Sequence, residues 1–208
     1  MKFYAFARKA VKGFFNFIYR IRIEGSENEP EDAPFIVCSN HISNADVIVL
    51  GLGVKHQLRY MAKAELFKVP LLSGLIRLLG AFPIKRGAAD VAALKTSLKL
   101  LSDGEVVAVF PQGTRRPRVD PSETEVKSGV GMIAYRSGVP VLPVYLETKN
   151  NKHLIFRRNT VHIGKLITPE ELGFQGGNKN EYERASRLIF DRILELRPEG
   201  VEKTNKKK

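Results

Sequence analysis

Apolar residues recur at helical spacing from the start of the chain, at Phe3, Ala7, Val11, Phe14 and Ile18. Phe6, Phe15, Phe17 and Tyr19 widen that stripe with aromatics. Lys2, Arg8, Lys9, Lys12, Arg20 and Arg22 supply charge, and no acid precedes Glu24. The pattern predicts a basic, aromatic, amphipathic helix over residues 1–24. Such a helix suits the headgroup region of an anionic bilayer, or else packs on its own domain. Beyond it, short continuous apolar runs alternate with amphipathic stretches. An acidic loop containing Pro30 leads into the run 34–39, whose unbroken apolarity fits a strand buried on both faces. Further strands are expected at 58–63, 81–87 with its turn, 105–109, 139–146 and 160–163. Helices are expected from about Ser43 to Leu52 and at 70–79, 88–102, 127–137 and 182–196. The 88–102 helix carries Val91, Leu94, Leu98 and Leu101 along one side. Strands alternating with helices imply an α/β architecture, a mostly parallel sheet flanked by helices. The expected organisation is a membrane-docking segment (1–24), one domain (25–200) and a basic, disordered tail (201–208).

Composition narrows the partners. With 208 residues and 43% hydrophobic content, the chain suffices for one sizeable core. Its net charge of +12 suits nucleic acid, an anionic membrane surface or acidic soluble molecules. Cys38 is the single cysteine, so no internal disulfide can form and a reducing compartment is expected. The histidines, His41, His56, His153 and His162, lack metal-ligand spacing. No apolar run reaches the length of a membrane span; the longest, Leu71 to Ile84, contains Arg77. No small-residue cleavage site follows the first apolar stretch, which argues against a secretory signal.

In open α/β sheets the chemistry sits in loops beyond the carboxyl ends of strands. Two such loops carry informative residues. The first is Asn40-His41-Ile42-Ser43-Asn44-Ala45-Asp46. A histidine there is placed as a general base, and an aspartate in reach would hold its tautomer and stabilise its cation. Positions five apart lie about 140° apart on an ideal helix. The pair therefore meets only if His41 precedes the helix and Asp46 occupies its first turn, with Ser43 as N-cap. The same residues also read as a capping box in which Asp46 serves only the backbone. The second loop is Phe110-Pro111-Gln112-Gly113-Thr114-Arg115-Arg116-Pro117-Arg118. A glycine and a hydroxyl beside three arginines suggest an anion site, with Lys127 as a further cation, or a solvated basic loop. Neither a nucleotide P-loop pattern nor a GxSxG elbow is present.

Taken in order, these segments resemble the 1-acyl-glycerol-3-phosphate (lysophosphatidic acid) acyltransferase family. NHISNAD matches its NHxSxxD-like block. GAFPIKRG, with Arg86, matches the second, and FPQGTR the block usually written FPEGTR. VPVLPVYL, with Pro140 and Pro143, matches the fourth. The resemblance covers residues 34 to 146. It implies that His41 takes the proton from the free hydroxyl of 1-acyl-glycerol-3-phosphate while Asp46 orients it. The hydroxyl then attacks an acyl thioester, and phosphatidic acid results. Arg86 and Arg115 would hold the acceptor's phosphate with help from Lys127, and backbone N–H groups at Gly113 and Thr114 would face the oxyanion. The donor would be acyl-CoA or acyl-carrier protein, with no bound cofactor or metal. The setting would be the cytoplasmic face of the cell membrane, held peripherally or monotopically, with no nucleic acid partner. Gln112 departs from the family's glutamate, keeping its length and an acceptor oxygen but not its charge. That departure leaves another lysolipid acceptor open. The competing class is a non-catalytic module binding anionic lipid or nucleic acid.

Overall fold

A continuous apolar run is stable as a strand only when both its faces are covered, and the fold covers them. The computed structural model describes residues 13–70, 72–78, 80–84, 89–151 and 156–198. Residues 1–12, Arg86 with Lys85 and Gly87, His153 and the 201–208 tail lie outside them. Strands β1 (Ile21–Glu24), β2 (Ile36–Ser39), β3 (Leu58–Lys63), β4 (Ala81–Ile84), β5 (Val106–Val109), β6 (Val141–Glu147) and β7 (Asn159–Ile163) form one sheet. Its order is β1-β7-β6-β2-β5-β3-β4. Strands β4, β3, β5, β2 and β6 run parallel; β7 is antiparallel to β6 and parallel to β1. Residues 13–19 are helical (α1). Helices α2 (Asp46–Gly53), α3 (Leu72–Leu78), α4 (Ala89–Ser102) and α5 (Gly129–Ser137) connect the parallel strands, and α6 (Lys179–Glu195) follows β7.

Side chains alternate across a strand, so each apolar run splits by parity into two cores. Ile36, Cys38, Val107, Val109, Val141 and Tyr145 join Val130 and Ile133 of α5 and Ile189, Phe190 and Ile193 of α6 on one face. Val37, Val106, Ala108, Leu142, Val144 and Leu146 join Val49 and Leu50 of α2 on the other. Cys38 lies wholly inside the first core, and burial pushes its thiol far above the usual range. It is a packing residue there.

Three expectations change. The predicted N-terminal helix does not run to residue 24. Arg20 takes φ 44 while its N–H donates to Asn16 O at 2.8 Å, ending α1. Ile21–Glu24 then pairs with β7, from Ile21 opposite Asn159 to Glu24 opposite His162. The period-two alternation Ile-Arg-Ile-Glu fits a strand, and the open edge of β7 selects it. Residues 21–24 therefore belong to the sheet domain. Helix α2 begins at Asp46, not near Ser43, because the Ser43 hydroxyl accepts the Ala45 N–H at 3.0 Å and closes a tight turn first. On α4 the buried positions are Ala93, Ser97 and Leu101, while Val91 is 62% exposed. The small Ala93 and Ser97 let the helix approach its neighbours more closely than a line of branched side chains would.

Candidate active site

Adjacent parallel strands deliver their carboxyl-end loops to one place. Strands β2 and β5 are hydrogen-bonded neighbours, with Cys38 opposite Val109, so both motif loops leave the sheet side by side. Asn40 is fully buried. Its Nδ2 donates to Leu146 O at 3.1 Å and its Oδ1 accepts from Leu146 N at 2.7 Å. The side chain thus extends the β2–β6 ladder and pins the chain one residue before His41. The second loop grips His41 from the other side. The His41 N–H donates to Gln112 Oε1 at 2.5 Å, and its carbonyl accepts from the Arg116 N–H at 2.9 Å. Its ring stacks on Phe110, centroids 4.0 Å apart and planes within 14°.

His41 precedes the helix and Asp46 opens it, the one arrangement in which residues five apart can meet. His41 Nδ1 lies 2.6 Å from Asp46 Oδ2, and the aspartate is fully buried. An ionised carboxylate only accepts, so Nδ1 carries the proton and Nε2 presents its lone pair outward. The same Oδ2 accepts from the N–H groups of Ile42 at 2.6 Å and Ser43 at 2.9 Å. One carboxylate therefore both caps the turn and contacts the imidazole, so the two placements of Asp46 are compatible. The His41 side chain keeps 16% of its surface in solvent, enough for one ring edge to meet a substrate.

The remaining predicted residues divide by position. Gln112 is 2% exposed, and its Nε2 donates to Thr124 Oγ1 at 2.8 Å. Both ends of its amide are engaged by protein groups, so it ties His41 to the loop at 124 instead of facing the acceptor. Gly113 adopts φ 67, and an added Cβ would come within 3.3 Å of Lys127 Cγ. Its N–H donates to Phe110 O at 2.9 Å, which removes it as an oxyanion donor in this geometry. The exposed Thr114 has an N–H without a protein acceptor among the described residues. Arg115 is exposed and donates to Asn44 Oδ1 at 2.8 Å, joining the two loops. Lys127 reaches Glu125 at 2.5 Å, with both side chains more than half in solvent. Arg86 lies outside the described residues. Replacing Gln112 with alanine is expected to cost about 1–3 kcal/mol, because it takes the acceptor from the part-buried His41 N–H and empties a buried position, while the Thr124 hydroxyl keeps Pro121 O as its acceptor. Urea unfolding checks this; an unchanged midpoint would mean that the amide is not the tie.

The far end of the second loop has its own anchor. Asp120, 1% exposed at its side chain, accepts from Arg197 Nη1 at 2.8 Å, from Ser122 N at 3.0 Å and from Ser122 Oγ at 2.8 Å. Burial works against its charge. The Ser122 hydroxyl and amide and the Arg197 guanidinium outweigh it and hold the carboxyl below its ordinary 3.8. Such a group contributes stability above the ordinary value and loses it as the pH falls through the folded one. Wild-type stability should therefore drop more steeply below about pH 4 than that of Asp120→Asn, which takes up no proton. Urea midpoints measured across that range check the sign, and parallel curves would exclude Asp120 from the acid limb.

Asn40 and Phe110 have site roles that sequence reasoning did not assign, although both lie inside the quoted motifs. Asn40 directly after a buried strand was the available signal, since a buried amide needs partners. The stacking of Phe110 had none. Among the described residues no three His, Cys, Asp or Glu side chains gather as a metal site.

Comparison with known proteins identifies the family. The Acyltransferase family matches residues 20–147. A 1-acyl-sn-glycerol-3-phosphate acyltransferase of Bacillus subtilis is 32% identical over 170 residues, covering 81% of this chain and 82% of that protein. The chloroplastic 1-acyl-sn-glycerol-3-phosphate acyltransferase LPAT1 of Arabidopsis thaliana is 34% identical over 131 residues, 62% of this chain and 36% of that longer protein. The crystal structure of the 1-acyl-sn-glycerophosphate acyltransferase PlsC from Thermotoga maritima superposes with a TM-score of 0.67 at 29% identity, covering 94% of this chain and 81% of that one. The sequence blocks, the paired loops and these relatives agree: the chain belongs to the Acyltransferase family, which also holds the 1-acyl-sn-glycerol-3-phosphate acyltransferases it resembles.

Proposed function

We propose that this protein transfers a fatty acyl chain from acyl-CoA or acyl-carrier protein to the free hydroxyl of 1-acyl-glycerol-3-phosphate, giving phosphatidic acid. The observation that carries the reading is the 2.6 Å contact between His41 Nδ1 and the buried Asp46 carboxylate. It leaves Nε2 unprotonated at the sheet edge. Nε2 accepts the hydroxyl proton as the oxygen attacks the thioester carbonyl. Asp46 stabilises the imidazolium that forms. The tetrahedral intermediate collapses, the carbon–sulfur bond breaks, and Nε2–H returns the proton to the departing thiolate. The Thr114 N–H is the candidate oxyanion donor. Arg115, Lys127 and Arg86 supply cations for the acceptor's phosphate. Lys127 would exchange Glu125 for phosphate, an exposed pair being weak. No metal or resident cofactor enters these steps.

The setting is the cytoplasmic face of the cell membrane. Supporting that reading is the net charge of +12, which suits an anionic lipid surface. The test is radiolabelled acyl transfer to lysophosphatidic acid from each donor in turn. Phosphatidic acid from one donor alone would identify the carrier. No product from either, with transfer to another lysolipid, would move the acceptor assignment.

A further inference from the structure

Large apolar side chains left in water mark a surface that meets something. Phe14 is 60% exposed, Phe17 72% and Phe156 58%. The first two stand on α1, whereas Phe156 comes from the β6–β7 connection, far away in sequence. The structure joins them. The rings of Phe17 and Phe156 pack edge to face at 5.8 Å. The Phe156 N–H donates to Ile18 O at 2.6 Å, and the buried Asn159 Nδ2 donates to Tyr19 O at 2.5 Å. An open groove between these segments is lined by Phe17, Phe156, Arg20, Arg22 and Arg158. The adjacent acid, Glu24, is engaged by Arg22 at 2.9 Å and His162 at 3.1 Å.

Position matters as much as composition. Strands β1 and β7 run opposite to β2, β5 and β6, so the amino ends of the first pair lie where the carboxyl ends of the others do. Arg20, Phe156 and Arg158 therefore stand on the same edge of the sheet as His41. Backbone bonds tie the second loop to His41 and to the start of the β6–β7 connection: Arg116 N–H to His41 O at 2.9 Å, and Arg118 N–H to Asn151 O at 3.2 Å.

We infer that the Phe156-Arg157-Arg158 turn is a second membrane-docking arm, which with Phe14, Phe17 and Arg20 seats the active-site edge of the sheet on an anionic lipid bilayer. The inference rests on the membrane-surface setting proposed above and names the residues that meet the lipid. Exposed aromatic rings enter the headgroup boundary, and guanidinium groups pair with lipid phosphates. Docking at this edge brings a membrane-embedded acceptor to His41 without its leaving the leaflet.

The test uses the full chain with vesicles of phosphatidylcholine, alone or mixed with phosphatidylglycerol. Phe156 adopts φ 59, so Phe156→Asn removes the ring while supplying a residue that tolerates that backbone. It is expected to weaken binding to mixed vesicles about tenfold. The pair Arg157→Ser with Arg158→Ser is expected to weaken it about thirtyfold and to reduce the preference for anionic lipid by a similar factor. Both variants should keep the wild-type melting temperature and the wild-type rate on a short-chain lysophosphatidic acid dispersed as monomers, and lose rate on the vesicle-embedded acceptor. Wild-type vesicle binding in both variants would overturn the inference, as would a wild type that ignores mixed vesicles. If binding weakens as expected but no phosphatidic acid is ever made, the docking arm stands and the acyl-transfer reading falls.

Discussion

His41→Ala is expected to lower kcat for acyl transfer by about 10²–10⁴-fold while leaving substrate binding nearly unchanged. Only Nε2 of this ring can accept the hydroxyl proton in the proposed step, and alanine has no replacement for it. The fold should survive. The chain at residue 41 is held through its backbone, by Gln112 Oε1 on the N–H and by the Arg116 N–H on the carbonyl. Asn40 pins the preceding residue through Leu146. What is lost is stacking on Phe110 and the contact with Asp46. The measurement is kcat and KM on lysophosphatidic acid beside a urea unfolding curve. A variant folded as wild type and within a few-fold of its rate would sink the general-base assignment.

Asp46→Asn should be about as severe, with kcat lowered by about 10²–10⁴-fold, and is more informative. The amide oxygen of asparagine can still accept the Ile42 and Ser43 N–H groups that Asp46 Oδ2 accepts now. The turn therefore remains capped. The amide cannot stabilise an imidazolium by charge, even though its oxygen, placed where Oδ2 is now, still accepts the Nδ1–H. Asp46→Ala would add a stability loss of about 1–3 kcal/mol, because it leaves those backbone donors without their acceptor. Were Asp46 only a cap, the asparagine variant would turn over at the wild-type rate and the alanine variant would merely be less stable. The ratio of the two variants' kcat values, read beside their unfolding midpoints, separates orientation of the base from capping.

Much of the sheet was legible because burial on both faces leaves a plain signature. The runs at 34–39 and 58–63 and the strand before Phe110 stand close to where hydrophobic patterning put them. The helix 182–196 was found but entered late, since α6 starts at Lys179 behind Asn178, whose side chain accepts the Glu181 N–H at 3.1 Å. Polar first turns carry no apolar stripe, so periodicity overlooks them. Strand β1 was misread for the opposite reason. Only four residues long and lying against a strong helical stripe, its alternation was too short to compete, and its pairing partner β7 stands well over a hundred residues away. Gln112 shows the limit within a motif. Its departure from glutamate was visible, whereas its inward orientation, bridging His41 and Thr124, depends on which loops the sheet brings together.

The sequence by itself determined the family, the order of strands and helices from β2 onward, and the residue types proposed for the chemistry. Local patterning and motif spacing are properties of neighbouring residues, and neighbours in sequence carry them. Tertiary structure alone decided that β2 and β5 lie side by side, so that residues seventy-one apart, His41 and Gln112, are hydrogen-bonded. It also decided that β1 joins the sheet and that Phe156 meets Phe17 at the edge holding His41. Those contacts are long-range, set by which apolar faces must cover one another and which backbone groups must find partners. That competition is settled by the whole core at once, and no window of sequence contains it.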